Sequence, residues 1–522
     1  MNHSGELFLG LMIAITLLSV VARWVGVPYP VLLVLGGLGL GFLPGLPDVR
    51  LDPDLVLLIF LPPLLYGAAI FSSLRDLRAA IRPISLLAIG LVVLTACSVA
   101  LVAHSLIDGM PWAAAFALGA VVAPTDPLAV TTIARRLGVP RGIVTIVEGE
   151  SLINDGTALT LYRVAVAAAV GGSFSLWHAG LQFLGDAAGG VAIGLAVGFL
   201  VSAIRKPLDD PPVEVVISLA TGYAAYLPAE GLGLSGVLAA VTAGIYMGWS
   251  APVIASPQTR MQGWAVWEVL TFLVNAVLFV LIGLQLPVIL DGLQGAQPFW
   301  TLIGYAAAVC ATVVGTRLLW MYTVPFLVRM LDPRLRHGEG RSSWQSRLVV
   351  GWSGIRGAVS MAAALALPLD FPARDLILFL AFAVIFFTLV VQGLTLPALI
   401  RALSIEEDDE EQREEVLARR AAAKAALERL EELEDEDWTR DETVERVRAL
   451  YEYRRRRFQA QADGDGSDGI EERSAAYQRL QRELFEAQRH ALLRLRGERK
   501  ISDDVMRNVQ HDIDLEDTRL EI

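Results

Sequence analysis

Cysteine, histidine and charged residues are scarce over most of this 522-residue chain. Its two cysteines and six histidines are too few for a disulfide framework, and their spacing matches no metal-ligand motif. The sequence also contains no glycine-rich phosphate loop and no pairing of a nucleophile with a base. These absences argue against an enzyme, a nucleotide-driven pump and a resident metal or other cofactor.

Charge is rare in the first 400 residues and dense after them. Only 41 of those 400 residues are charged, against 57 of the last 122. This contrast predicts a transmembrane domain over residues 1–403 and a charged, helical tail over residues 404–522. The tail holds 34 acidic and 23 basic residues, an excess of negative charge that argues against nucleic acid as a partner.

Apolar runs long enough to cross a bilayer predict about thirteen transmembrane helices. The loops between them are basic on one side, because fifteen Lys and Arg residues fall there and only Arg50 and Arg374 on the other. Basic loops remain in the cytoplasm. We therefore expect a multi-pass protein of the cell membrane, with the N-terminus outside and the tail in the cytoplasm. The predicted spans lie near 7–25, 28–43, 54–72, 84–106, 111–132, 143–170, 177–204, 213–228, 232–249, 264–290, 299–328, 347–367 and 375–401.

The fifth predicted span contains two prolines around a polar pair. In "GAVVAPTDPLAVTTIA", Pro124 and Pro127 flank Thr125 and Asp126. Each proline removes a backbone donor and disrupts the preceding turn, so the helix should unwind between them. Unwound backbone at membrane depth is tolerated inside protein or beside a cavity, where its free carbonyls are ready-made ion ligands.

The twelfth predicted span contains a second candidate break. In "GWSGIRGAVS", Gly354 and Gly357 flank Arg356. Two broken helices in different halves of a chain indicate an inverted-repeat transporter with its binding site near the middle of the membrane.

The stretch "VEGESLINDG" in the sixth predicted span places carboxylates between apolar runs. Glu150 and Asn154 are four residues apart, as are Ser151 and Asp155, so each pair lies on one face of a helix and the two faces adjoin. Oxygen ligands suit hard cations, and the lack of His and Cys argues against a transition metal. The residues predicted to bind a monovalent cation such as Na+ or K+ are Thr125, Asp126, Ser151, Asn154 and Asp155.

These carboxylates cannot all be unpaired anions within a membrane. We expect Glu150 to pair with Arg356, although spacing alone does not decide which glutamate Arg356 contacts. Asp155 is then left to exchange its partner, so that a proton and a cation compete for one carboxylate. No role follows from the sequence for Glu148, Glu268, Arg163 and Arg317.

Three segments of the membrane domain resemble the monovalent cation:proton antiporter-1 family. They are "APTDP" (123–127), "EGESLINDG" (148–156) and "GWSGIRGAVS" (351–360), and they occur in the family's order. The family includes bacterial NhaP-type antiporters and the animal sodium/proton exchangers. The resemblance implies an all-α fold like that of NhaA and NapA, with inverted repeats and two crossing broken helices. It also implies a core domain that carries the ion site and moves against a dimerisation domain in a homodimer.

The resemblance also implies roles for individual residues. Asp155 matches the shared Na+ and H+ ligand of the family's Asn–Asp pair, and Asn154 is its neighbour. Thr125 and Asp126 match the polar pair of the unwound helix, and Ser151 matches a serine one turn before Asp155. Glu150 and Arg356 match a buried ion pair. An Asn–Asp pattern implies electroneutral one-for-one exchange by alternating access.

The transported cation is left open by the sequence, because K+ or a mixture of Na+, K+ and Li+ suits the same ligands. A cation channel is a different class. Channels are usually symmetric rings with a pore on the axis, whereas here the polar groups lie within one chain on broken helices. We therefore predict a secondary active Na+/H+ antiporter whose partners are monovalent cations, protons, the lipid bilayer and a second copy of the chain.

Overall fold

The computed structural model describes residues 3–43, 53–171, 176–293, 298–331, 343–405, 409–463 and 470–520. All regular secondary structure within these ranges is helical. The chain forms two compact units, Met1–Glu407 and Asp408–Ile522. The sequence contrast in charge predicted this boundary at residue 403.

The first unit consists mainly of apolar helices. Leu86–Leu91 and Thr388–Gln392 are π-helical turns, and each lies between two α-helical segments. The described helices are α1 (His3–Val25), α2 (Tyr29–Gly41), α3 (Pro53–Ile70), α4 (Leu74–Ala79), α5 (Ile81–Ser85), α6 (Val92–Leu106), α7 (Trp112–Val122), α8 (Leu128–Arg136), α9 (Arg141–Gly171), α10 (Leu176–Arg205), α11 (Pro211–Gly231), α12 (Gly236–Ile254), α13 (Pro257–Gly292), α14 (Phe299–Leu331), α15 (Trp344–Trp352), α16 (Ala358–Leu365), α17 (Arg374–Phe387) and α18 (Gly393–Ala402).

Several of these helices are suited to a bilayer. Among the described residues, six helical stretches are long and apolar enough to cross a membrane, and four shorter helices are also apolar. The first unit is therefore a multi-pass membrane domain. The six long stretches are Ile81–Leu106, Gly180–Arg205, Gly236–Ile254, Pro257–Gly292, Phe299–Leu327 and Arg374–Ala402.

The helices of the first unit fall into two packed groups. Helices α1–α3 and α10–α13, here called the scaffold helices, pack mainly against each other; helices α4–α9 and α14–α18, here called the site helices, do the same. Contacts between the groups are fewer and involve chiefly α3, α12 and α13 against α9, α16 and α17. The first unit therefore has one principal boundary between the scaffold helices and the site helices, here called the seam, and α9 lies along it.

A buried ion pair joins three of the scaffold helices. The guanidinium of Arg205 on α10 lies 3.1 Å from Glu214 on α11, and the hydroxyl of Thr259 on α13 donates to the same carboxylate over 3.1 Å. Both charged side chains are almost completely buried. A paired and hydrogen-bonded charge is tolerated at such a position, whereas a lone one is costly. These contacts hold α10, α11 and α13 in a fixed relation.

The second unit consists of two helical hairpins, in which α19 (Asp409–Leu433) packs on α20 (Asp441–Asp463) and α21 (Ile470–Gly497) on α22 (Asp503–Arg519). Ala, Leu, Glu and Arg give these segments high helix propensity. Val416, Ala423 and Leu427 recur at helical spacing and are buried. Arg489 joins the second hairpin by contacts of 2.8 and 2.7 Å to Asp514 and Asp517.

Candidate functional site: two crossed helix breaks and a carboxylate cavity

The two predicted helix breaks are present and touch each other. Residues 123–127 separate α7 from α8, and residues 353–357 separate α15 from α16. The backbone N–H of Asp126 donates to the carbonyl oxygen of Ile355 over 2.7 Å, which ties one break to the other. The Asp126 carboxylate accepts a bond of 2.9 Å from the N–H of Leu128, at the first turn of α8. Asp126 thus stabilises the start of the second half-helix as a cap.

Helix α9 holds the first break through its polar side chains. The Ser151 hydroxyl donates to the Thr125 carbonyl oxygen over 2.9 Å, and the Asn154 amide donates to the Thr125 hydroxyl over 2.8 Å. The Thr125 hydroxyl in turn points to Glu150, 3.4 Å away. The structure therefore brings Thr125, Ser151 and Asn154 together.

Asp155 and Asp126 lie at the inner end of a large cavity. The cavity has a volume of about 1690 Å³, and Thr125, Ser151 and Ser360 also line its wall. Asp155 is only 5% exposed, and no hydrogen-bond partner of its side chain occurs within the described part of the chain. A buried carboxylate without a protein partner is available for a proton or a cation.

Asn154 has a different position from the other predicted ligands. It is completely buried and is absent from the cavity wall, and its side-chain oxygen has no hydrogen-bond partner in the described residues. Its amide nitrogen is committed to Thr125. In this conformation Asn154 therefore positions Thr125, while Thr125, Asp126, Ser151 and Asp155 face the cavity.

The other end of the cavity is rich in exposed charged side chains. Arg23, Arg135, Arg136 and Arg401 contribute to its wall, and so do Glu148 and Glu268. Glu148 lies 3.6 Å from Arg135, which is largely exposed. Solvated charges at this end and the buried Asp155 carboxylate at the other define a path from water to Asp155.

The prediction that Glu150 pairs with Arg356 is wrong, because a different arginine is the partner of Glu150. Glu150 pairs with Arg317 of α14: one guanidinium nitrogen bonds to Oε1, and the other lies 2.7 Å from Oε2. Arg317 also donates two bonds, of 3.2 and 3.1 Å, to the carbonyl oxygen of Val350 in the last turn of α15. Both side chains are about 1% exposed. This two-pronged geometry is the strongest that an arginine offers a carboxylate.

Arg356 instead binds carbonyl oxygens freed by the helix breaks. Its guanidinium donates to Val122, the last residue of α7, over 3.1 Å and also to Gly354. Its backbone N–H donates to the hydroxyl of Thr388 over 3.1 Å. The C-terminal end of a helix has unpaired carbonyls and a partial negative charge, which a cation stabilises. Arg356 caps α7 in this way, just as Arg317 caps α15, so each arginine offsets the partial negative charge at one helix break.

Two further ion pairs were missed by the sequence analysis. Arg163 of α9 lies 2.5 Å from Glu230 of α11, and Arg205 lies beside Glu214. A signal was present, because a basic residue within an apolar span needs an acidic partner. Glu214 and Glu230 went unassigned because they lie at the ends of the eighth predicted span.

Gly357 is the closest point between the two breaks. A Cβ atom at this position would overlap the carboxylate of Asp126. We expect Gly357→Ala to destabilise the protein by about 1–3 kcal/mol, the usual cost of overpacking. Thermal unfolding measures the effect. Gly304→Ala on α14 is the matched control, because a Cβ there meets nothing; an equal effect of both substitutions would contradict the overlap.

A family model described as "Sodium/hydrogen exchanger, transmembrane" matches residues 10–402. An uncharacterized Na+/H+ exchanger of Mycobacterium tuberculosis is 38% identical over 502 residues, which cover 94% of this chain and 91% of the relative. A sodium, potassium, lithium and rubidium/H+ antiporter of Bacillus pumilus is 30% identical, over 83% of this chain and 67% of the relative. The mycobacterial match is long enough to extend through most of the second unit.

A solved structure has the same fold as the membrane domain. It is that of the sodium proton antiporter MjNhaP1 from Methanocaldococcus jannaschii, which superimposes with a TM-score of 0.60 at 21% identity. The match covers 76% of this chain and 98% of that one. The resemblance seen in the sequence motifs is thereby confirmed, and the chain belongs to the sodium/hydrogen exchanger family of membrane antiporters.

Proposed function

We propose that this protein is a secondary active Na+/H+ antiporter in which Na+ and H+ compete for Asp155. The observation that carries the proposal is the position of this carboxylate, which is buried, without a protein partner and at the end of a cavity. Thr125, Asp126 and Ser151 supply further oxygens around it. A proton and a hard cation are the two partners that such a group accepts in turn. Occupancy by one excludes the other, which couples their movements.

The described helices suggest how the chain crosses the membrane. When each broken or π-bulged helix is counted once and the six-residue α4 is left out, the described helices of the first unit form thirteen rods, from α1 to α17–α18. We propose that each rod is one crossing, with the N-terminus outside and the second unit in the cytoplasm of a cell-membrane protein. The basic loops support this orientation. The cavity would then open to the cytoplasm, since Arg23, Arg135, Arg136 and Arg401 line it.

Alternating access requires Asp155 to face each side in turn. We propose that the site helices move against the scaffold helices, because few contacts cross the seam between them. The two crossed breaks and α9 all belong to the site helices, so the residues that bind the cation would move as one rigid group. In a homodimer, which the family resemblance implies, the scaffold helices would form the fixed centre; a single-chain mass in native mass spectrometry would refute the dimer.

The exchange is expected to be electroneutral, with one proton for one cation at Asp155. A pH difference of one unit then drives the cycle with about 1.4 kcal/mol. A membrane potential contributes nothing, whereas a cycle that moves one net charge would gain about 2.3 kcal/mol per 100 mV. In proteoliposomes, the final Na+ gradient should follow the pH gradient and ignore an imposed potential. A permeant anion should set the potential, since K+ is itself a candidate substrate; a voltage-dependent Na+ gradient would refute one-for-one exchange.

Exchange of K+ is the second candidate, because the relative from Bacillus pumilus is named for Na+, K+, Li+ and Rb+. Dye-monitored proton movement in the same liposomes, with each of these cations in turn, separates the candidates. A response to Na+ alone supports the narrower function, and a response to several supports the broader one. No response to any of them, from a folded protein, would refute antiport.

A further inference from the structure

The ion pair between Arg163 and Glu230 crosses the seam between the site helices and the scaffold helices. Arg163 is on α9, which also carries Asp155, and Glu230 is on α11. Their charged atoms are 2.5 Å apart. The second oxygen of Glu230 accepts a bond of 3.2 Å from the N–H of Gly236, the first residue of α12. Glu230 is thus anchored within the scaffold group and extends its other oxygen to α9.

This pair lies on the far side of the ion site from the cavity. Along α9 the cavity wall includes Glu148, Ser151 and Asp155, but not Arg163. Arg163 is eight residues beyond Asp155, which is about 12 Å further along the helix axis. Arg163 and Glu230 are 38% and 28% exposed, and Glu230 lies in the last turn of α11, beside the loop to α12.

An apolar cluster separates the pair from the site. It contains Tyr226 of α11 and Val237 and Val241 of α12, with Leu159 of α9 packed against them, and it continues to Leu152 of α9 on the cavity wall. Val237 and Val241 are 2% and 4% exposed and are absent from the cavity wall. Gly156, next to Asp155, approaches α12 closely, since a Cβ there would lie 3.4 Å from Leu238. The seam is therefore dry and closed on this side, with the ion pair at its outer edge.

We propose that Arg163 and Glu230 form a latch that holds this side of the transporter closed while the cavity side is open. This inference rests on the proposed alternating-access exchange. When the site helices move against the scaffold helices, α9 shifts relative to α11 and the pair must separate. Partial exposure makes the separation reversible, because water can solvate both charges. Asp186 of α10 is the third charged group that acts on both partners, but it is not within ion-pair distance of Arg163.

Loss of the latch is expected to shift the population toward the state that is open on the far side. A partly exposed ion pair of this kind changes such an equilibrium by about fivefold. Glu230→Gln removes the negative charge without changing the size of the side chain, and Arg163→Gln removes the positive charge and shortens the side chain. The charge exchange Arg163→Glu/Glu230→Arg recreates the pair and should restore the original distribution.

Cysteine labelling measures the shift on both sides of the site. In a background with Cys97→Ala and Cys310→Ala, Val241→Cys reports opening of the far side, and Thr131→Cys, on the cavity wall, reports the cavity side. In each single latch variant we expect maleimide labelling of the Val241→Cys reporter to rise about fivefold, as estimated for such a pair, and that of the Thr131→Cys reporter to fall. Reciprocal change distinguishes a shift in population from a loosened fold.

The matched control is Asp76→Asn, which removes an ion pair of similar length and exposure inside the site group. Asp76 on α4 lies 2.6 Å from Arg141 on α9, with exposures of 29% and 45%. This variant should leave both reporters unchanged. Any one of three results would overturn the latch. These are unchanged labelling in the latch variants, a rise in labelling at both reporters, and the same response from Asp76→Asn. Wild-type exchange is measured in the same preparations: its absence refutes antiport itself, whereas exchange with unmoved labelling refutes only the latch.

Discussion

Asp155→Asn is expected to abolish coupled exchange of protons for every cation while leaving the protein folded. Asparagine keeps the size of the side chain. It can neither take up a proton near neutral pH nor attract a cation by charge. Folding should survive, because the Asp155 side chain makes no hydrogen bond within the described part of the chain and its charge is nearly buried. Removing an unpaired buried charge relieves a desolvation penalty, so thermal stability should stay equal or rise.

Dye-monitored exchange in proteoliposomes and thermal unfolding in detergent give the two readouts. Glu148→Gln is the matched control, because Glu148 is also a carboxylate of α9 that lines the cavity but lies near exposed Arg135. Exchange by this control should remain close to that of the wild type. Coupled exchange by Asp155→Asn would place the carrier carboxylate elsewhere, and equal loss in both variants would show that exchange requires both carboxylates and that Asp155 has no unique role.

The position of the helix breaks could be predicted from local chemistry. Pro124 and Pro127 remove backbone donors three residues apart, and no packing can replace those groups. The faces of α9 were likewise predictable, because helical periodicity places Ser151 and Asn154 on adjoining faces wherever the helix lies. Both features depend on a few neighbouring residues. Tertiary packing adds only the contact of Thr125 with Ser151 and Asn154.

The partner of Glu150 could not be predicted in this way. Arg356 was the natural candidate because it lies within a break, but its guanidinium is drawn to the carbonyl end of α7. Arg317 lies in an unbroken apolar helix, and only tertiary packing brings it to Glu150 of α9 and to Val350 of α15. The same limit applies to Arg163 and Glu230, which are 67 residues apart in the chain. Charge pairing across a membrane domain depends on helix crossings, and local sequence does not specify these.

Arg317→Gln is expected to have the largest effect on stability. The substitution leaves Glu150 as an unpaired charge that is about 1% exposed, and it removes the cap on the last turn of α15. Breaking one side of a buried ion pair costs about 3–5 kcal/mol. Arg356→Gln also removes hydrogen bonds to carbonyl oxygens, but it leaves no carboxylate without its ion-pair partner. It should therefore destabilise the protein less.

A double-mutant cycle separates the two arginines. Glu150→Gln combined with Arg317→Gln removes both charges, so the double variant should be more stable than the sum of its single effects predicts. Unfolding in mixed micelles should give a coupling energy of about 0.5–3 kcal/mol for this pair, the range for residues in direct contact. Glu150→Gln with Arg356→Gln should give a clearly smaller coupling energy. Arg356 forms no ion pair with Glu150 and acts on it only by electrostatics over a longer distance. A larger coupling for Arg356 would reinstate the pair expected from the sequence, and it would make Arg317 a cap for α15 alone.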